Sequence, residues 1–241
     1  MTGGYLDWQV RRVIRPIIAF REYIFRDMVP QFSKLDERAE QIGNEYYARM
    51  VSEPAEEDFD GDLSGFAEDA HDQALSWYEM MRSLRQTMLN LLAAGLFHLA
   101  EQQLAALCYD AGFRAGPPSE TKLDVVAKWY ERNLRLDVRL LPAWALIDEL
   151  RLLANTVKHA EGSSSSKLRA LRPELFCDPA LVKAHEGIGI KDNVQNRTVY
   201  APLAGEDLFV SEDLLKQYTE GVESFFIEIA EHFATHGDEY Y

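Results

Sequence analysis

The feature that most constrains this chain is a helical pattern running from Phe66 to about Gly112 with little punctuation. Its most apolar part, MLNLLAAGLFHLAEQQLAAL (Met88 to Leu107), includes Asn90, His98, Glu101, Gln102 and Gln103. Those polar groups are expensive in lipid, so the run reads as a buried helix and not as a membrane span. A globular helix this long is unusual, and a break is expected near Arg82 to Arg85.

The flanking segments carry the same periodicity. Between Leu6 and Met28, apolar residues at Val10, Ile14, Ile17, Ile18, Phe20 and Ile24 recur every three or four positions. This fits an amphipathic helix, kinked or broken at Pro16 and ended by Pro30. A second helix, Phe32 to Met50, has Leu35, Ala39, Ile42 and Tyr46 on one stripe. Ser119 is placed to cap a helix reaching Leu134. Pro142 suits the first turn of the next helix, whose apolar face carries Trp144, Ile147, Leu150, Leu153 and Val157 and which stops before Gly162.

Beyond Ser166 the character changes. Lys167 to Phe176 fits one short helix, and Gly187 to Val210 mixes Gly, Asn and Asp with β-formers, as in one or two hairpins. Ser211 caps a last amphipathic helix bearing Leu214, Leu215, Tyr218, Val222, Phe225, Phe226 and Ile229. The expected fold class is mainly α: a single helical domain over 1–241, with a core region at about 64–162, a small β or irregular insert at about 173–210 and a C-terminal helix at about 212–236.

A chain of 241 residues with 47% apolar content can bury a sizeable core. Its formal charge of −15 argues against a general nucleic-acid coat protein, while leaving room for a local basic site. Cys108 and Cys177 have neither CxxC nor Cys/His spacing, so buried thiols in a reducing compartment are expected. The opening MTGGYLDWQVRRVIRP has charges where a secretory leader needs an apolar core, which points to the cytoplasm.

Most site patterns are absent or incomplete. Asp58 to Asp69 spaces carboxylates like a calcium loop, but Leu63 replaces the turn glycine and Asp69 the closing glutamate. His98 and Glu101 share a helix face, as supporting acid–base groups or as a hydrogen-bonded pair at a core or dimer seam. There is no HExxH pair, no phosphate-binding GK[ST] loop and no nucleophile elbow. No metal and no cofactor are expected.

RLLANTVKHAEGSSSSKLR, Arg151 to Arg169, is the remaining candidate. Arg151, Asn155 and His159 recur every four residues and project from one helix face, with Lys158 beside them. A neutral imidazole there could take a proton from an RNA 2′-hydroxyl, while Arg151, Lys158 and Asn155 hold the phosphate. Ser163, Lys167 and Arg169 follow as further phosphate-binding groups. From Arg151 to Arg172, five basic residues stand against Glu161 alone, a local charge of +4. The same residues also suit a plain helix end, where Lys and His answer the macrodipole and Gly162 stops the helix.

Glu149 to Gly162, preceded by Arg85 to Cys108, resembles the HEPN superfamily of helical domains. In that family a long helix with an embedded glutamate, here Glu101, packs against a later helix ending in an arginine, four to six residues, then histidine. Asn155 and His159 match the polar residue and the histidine. Ala154 stands at the arginine position, with Arg151 one turn earlier and Lys158 as another source of charge. The resemblance implies a homodimer that binds RNA or a nucleotide and acts as a metal-independent endoribonuclease of a defence or toxin–antitoxin system, with an antitoxin or defence-system partner. The alternative it implies is an inactive dimeric scaffold or ligand-sensing module. A structural adaptor using the acidic loop and the last helix is the third expectation.

Overall fold

A computed structural model of the chain describes residues 2–52, 63–110, 116–186, 198–203 and 207–236. The fold is mainly α, and no strand occurs among the described residues. Helix α1 (Thr2–Tyr23) continues through a π-helical turn (Ile24–Met28) into a 3₁₀ turn (Val29–Phe32). Then come α2 (Leu35–Ser52), α3 (Ser64–Asp110), α4 (Leu123–Leu134), α5 (Trp144–His159), α6 (Ser163–Leu171), α7 (Pro179–Glu186) and α8 (Glu212–His236).

The expected break near Arg82 to Arg85 does not occur. Helix α3 is continuous over 47 residues, about 70 Å at 1.5 Å per residue. It contains no proline, and different elements support its two halves. Helix α2 lies along the N-terminal half, where Gly43 brings the backbones together: a Cβ there would sit 3.1 Å from the Ala70 carbonyl oxygen. The C-terminal half contributes Leu89, Ala93, Leu96, Phe97, Ala100, Leu104 and Leu107 to the main core. Tertiary packing on both halves takes the place of a punctuating loop.

The ends of other helices also differ from expectation. Pro16 is accommodated inside α1, and Pro30 sits in the first turn of the 3₁₀ segment. Pro142 lies just outside α5, which starts at Trp144 after Ala143. The Ala143 N–H is instead satisfied by Glu228 Oε2 of α8 at 3.1 Å. Ser119 does not cap α4; the carboxylate of Glu101 accepts from Leu123 N–H at 2.8 Å, so α3 reaches across to finish that helix. Ser211 does cap α8, its hydroxyl accepting from Leu214 N–H at 3.1 Å.

The seven apolar positions named for the last helix are all buried. At Gly221 an added Cβ would lie 2.7 Å from Leu146 Cδ1, so glycine there permits the close approach of α5 and α8. Arg21 of α1 meets Glu223 of α8 at 2.7 Å on the opposite flank.

The segment expected to form hairpins has a different solution. Residues 187–197 lie outside the described residues; the described remainder of the segment up to Val210 contains no strand. Asn90, buried in α3, donates to Leu208 O at 2.7 Å and accepts from Val210 N–H at 3.2 Å, while Gln86 donates to Val210 O at 3.1 Å. Phe209 N–H bonds Leu175 O at 2.8 Å. Side chains of α3 thus supply the partners a neighbouring strand would have provided. Likewise, the short helix expected at Lys167 to Phe176 begins earlier, at Ser163, and divides into α6 and a 3₁₀ turn, Pro173–Phe176.

Candidate functional site

Helix α5 ends where its motif is densest. Ile147, Leu150, Leu153, Ala154 and Val157 are buried, Asn155 is half-buried, and Lys158 and His159 are exposed. After His159 the chain turns at Ala160, which has φ +61° and ψ −141°, a backbone region that favours glycine. Several bonds hold this turn: Ala160 N–H to Thr156 O at 2.9 Å, Glu161 N–H to Val199 O at 3.1 Å, and Leu203 N–H to Val157 O at 2.7 Å. Residues 198–203 of the insert therefore pack directly against the end of α5.

The expected site residues separate into two groups. Arg151 is turned onto Asp148, with Nε and Nη2 at 2.9 and 2.6 Å from the same carboxylate oxygen. Arg169 grips Glu161 with two parallel bonds of 2.9 Å and lies 4.3 Å above the Phe176 ring. Asn155, Lys158, His159, Ser163 and Lys167 make no side-chain hydrogen bond or ion pair with described residues. Ala154, at the arginine position of the resembled motif, is fully buried in the core.

The local charge of +4 falls to +1 once the carboxylates that the fold brings to it, Asp148, Glu149 and Glu174, are counted. Arg151 is answered by Asp148, Arg169 by Glu161, and Arg172 by Glu149 and Glu174. Three of those four carboxylates lie outside the 151–172 window, so the sequence count misses them. Lys158 and Lys167 remain as the exposed cations of that stretch without an ion pair among the described residues.

Glu161 is the organising residue of the corner. Besides Arg169, it accepts from Ser165 Oγ at 2.9 Å and from Val199 N–H at 3.3 Å. Arg169's hydrogen bonds lead the causes that hold its carboxyl down to about 2, with Ser165 and Val199 helping against the cost of burial. Ser165 also accepts from Gly162 N–H at 2.8 Å and so closes the start of α6. Three serines of the run are on the surface or half-exposed, but Ser165 is fully buried and structural. A carboxylate fixed beside the α6 N-terminus opposes phosphate binding there.

A second polar cluster is built on Glu149 of α5. Glu149 Oε1 accepts from Tyr218 Oη at 2.6 Å and from Arg172 Nη1 at 2.7 Å. Glu149 is 8% exposed and Tyr218 fully buried. Burial, followed by the bond to Glu149, raises the Tyr218 hydroxyl far above its ordinary range. The sequence signal for this cluster was a tyrosine on the apolar face of α8 and a glutamate on the inner side of α5.

His98 Nδ1 is 3.5 Å from Glu101 Oε2, at the limit of a hydrogen bond, and its buried Nε2 has no partner among the described residues. No hydrogen bond or ion pair links either residue to Asn155 or His159. Glu101 acts as the cap of α4 described above. Of the calcium-like loop, Asp58 to Asp62 lie outside the described residues, while Ser64 to Asp69 already form the first turns of α3, so a loop closed by Asp69 does not form. Among the described residues no group of three His, Cys, Asp or Glu side chains is placed to hold a metal. Burial pushes the Cys108 thiol up to about 12, consistent with an unreactive core cysteine.

Comparison with protein-family models, curated proteins and solved structures finds no match to this chain.

Proposed function

We propose that the chain is a non-catalytic helical assembly module, in which the HEPN-like sequence at the end of α5 forms a structural corner and not a nuclease centre. The observation that carries this reading is the disposition of the arginines: Arg151, Arg169 and Arg172 are each held by a carboxylate of the fold, and Ala154 is buried where the motif's arginine would stand. A phosphate at this corner would meet Lys158 and Lys167 together with the carboxylate of Glu161. Catalysis needs its charge-stabilising groups preorganised and free to meet the developing charge. Here the Arg151 guanidinium is already engaged by Asp148.

RNA binding under varied salt tests the reading. Two free lysines release few counterions, so the slope of log K against log salt stays at or below about 2. A slope of about 5 or more, falling when Lys158, Lys167 or Arg169 is replaced by alanine, would overturn it.

The second reading, a metal-independent endoribonuclease of a defence or toxin–antitoxin system, is supported by one local feature. His159 presents an exposed imidazole without a partner among the described residues, next to the strained backbone of Ala160. Backbone strain of this kind concentrates at functional sites. In that reading His159 transfers the proton, Arg151 leaves Asp148 to meet the phosphate, and a second copy completes the cleft.

A further inference from the structure

Two of the chain's six histidines, His232 and His236, stand one helical turn apart at the end of α8. The other four are single: His71 and His98 lie far apart on α3, His159 ends α5 and His185 belongs to α7. Residues four apart share a helix face, and their side chains meet. Here the two imidazole centroids are 4.6 Å apart. Two imidazoles on one ion, each bound through a metal–nitrogen bond of about 2.1 Å and set at about 90–109° to each other, have centroids about 4.5–5.3 Å apart. The rings therefore already stand at the separation of a chelating pair. Their planes are 26° from parallel, and a turn about the Cβ–Cγ bond, where imidazole torsions are broad, aims both rings at one ion.

Hydrogen bonding decides which nitrogen His236 offers. Its Nδ1 is 3.1 Å from the His232 carbonyl oxygen. A carbonyl only accepts, so the proton sits on Nδ1 and the lone pair on Nε2. An imidazole whose other N–H is held by a backbone carbonyl has the tautomer and orientation that metal-ligating histidines generally show.

The backbone beneath the pair is fixed. Phe233, on the core side of the same turn, is fully buried and stacks on Tyr130 of α4 at 6.5 Å between centroids. His232 is half-buried with its ring at the edge of Phe233, while His236 is exposed, so an ion reaches the pair from solvent. Electrostatics favour a cation there. The last turn of a helix carries partial negative charge, and the chain's net charge is −15.

We infer that His232 and His236 form a bidentate site for a divalent transition-metal ion of the Zn2+ class. Imidazole nitrogen selects Zn2+, Ni2+ or Cu2+ over Mg2+ and Ca2+, which take oxygen ligands. With two protein ligands the remaining positions are filled by water. The ion is therefore exchangeable and clamps the last turn of α8, in contrast to a closed four-ligand structural site. Neither histidine belongs to the corner at the end of α5, so a catalytic role there would leave the ion site unchanged.

Titration of ZnCl2 into the full chain, followed by calorimetry in a non-coordinating buffer, tests the site. The expected result is one ion per chain with a dissociation constant of about 10–100 μM, weakened at least about 10-fold by His236→Gln. A double variant, His236→Ala with Ala234→His, keeps the number of histidines but turns one about 200° round the helix from His232. It is expected to bind as weakly as His236→Gln. Positions 234 and 236 are exposed, so both variants keep the far-UV circular dichroism of the wild type. Mg2+ at the same concentrations does not displace Zn2+. No binding up to about 1 mM ZnCl2, an affinity unchanged in His236→Gln, a relocated histidine that binds as tightly as the wild type, or displacement by Mg2+ would each overturn the inference.

Discussion

Two polar clusters involve α5, and they are built in opposite ways. The inner one, Glu149 with Arg172 and Tyr218, is largely removed from water, and its carboxylate receives two short hydrogen bonds. The outer one, Asn155, Lys158 and His159, is partly or fully exposed and has no partner among the described residues. Glu161, just after α5, is pinned by Arg169, Ser165 and Val199. The difference teaches that charge in this part of the chain is spent on holding α5, α6 and α8 together, while the residues that resemble a motif contribute little to the fold.

That contrast can be broken most severely at Glu149. Glu149→Ala leaves the buried Tyr218 hydroxyl without its acceptor and the Arg172 guanidinium with Glu174 alone, and is expected to cost about 3–5 kcal/mol, measured by denaturant unfolding. A loss under about 1 kcal/mol would mean that the inner cluster is not a structural pair.

Glu161 is expected to rank second. Glu161→Ala removes a bidentate pair and two further bonds at a partly exposed position, for about 1–2 kcal/mol. Its pH dependence follows from the lowered pKa. The contribution is fully present above the ordinary carboxylate value near 4.5 and is lost as pH falls through about 2. Stability curves from pH 6 to pH 2 should therefore converge for the wild type and Glu161→Gln at the acid end. Parallel curves would show that Arg169 does not hold this group.

Smaller effects are expected in the outer cluster. Arg151→Ala should cost under about 1 kcal/mol, as for other surface ion pairs. His159→Ala should lie within about 0.5 kcal/mol of the wild type. A large loss at His159 would place it in the core network and erase the distinction between the clusters.

Helical periodicity made much of this architecture legible. The apolar positions of α5 and α8, the Ser211 cap and the amphipathic α1 follow from spacing alone, because their burial is set by one face of one helix. Legibility stopped where distant segments supply the missing partner. Nothing near Leu208 to Val210 in the chain announces that Asn90 and Gln86, over a hundred residues earlier, will satisfy its backbone, so β-formers there suggested a hairpin. Ser119 looked like a cap because Glu101 could not be seen approaching Leu123.

The charge around the candidate site is hidden from the sequence for the same reason on a shorter scale. A charge count over 151–172 excluded Asp148, Glu149 and Glu174, three carboxylates just beyond its edges that neutralise arginines inside it. The exposed position of His159 at a helix end was legible. The engagement of Arg151 was not, since Asp148 could equally have faced solvent.

The most direct test of the account is incubation of the purified full chain with a mixed RNA pool in EDTA, beside His159→Ala. The account predicts no cleavage above the buffer control and no difference between the two proteins. RNA cleavage by the wild type that vanishes in a stably folded His159→Ala would contradict it and establish the end of α5 as a reaction centre.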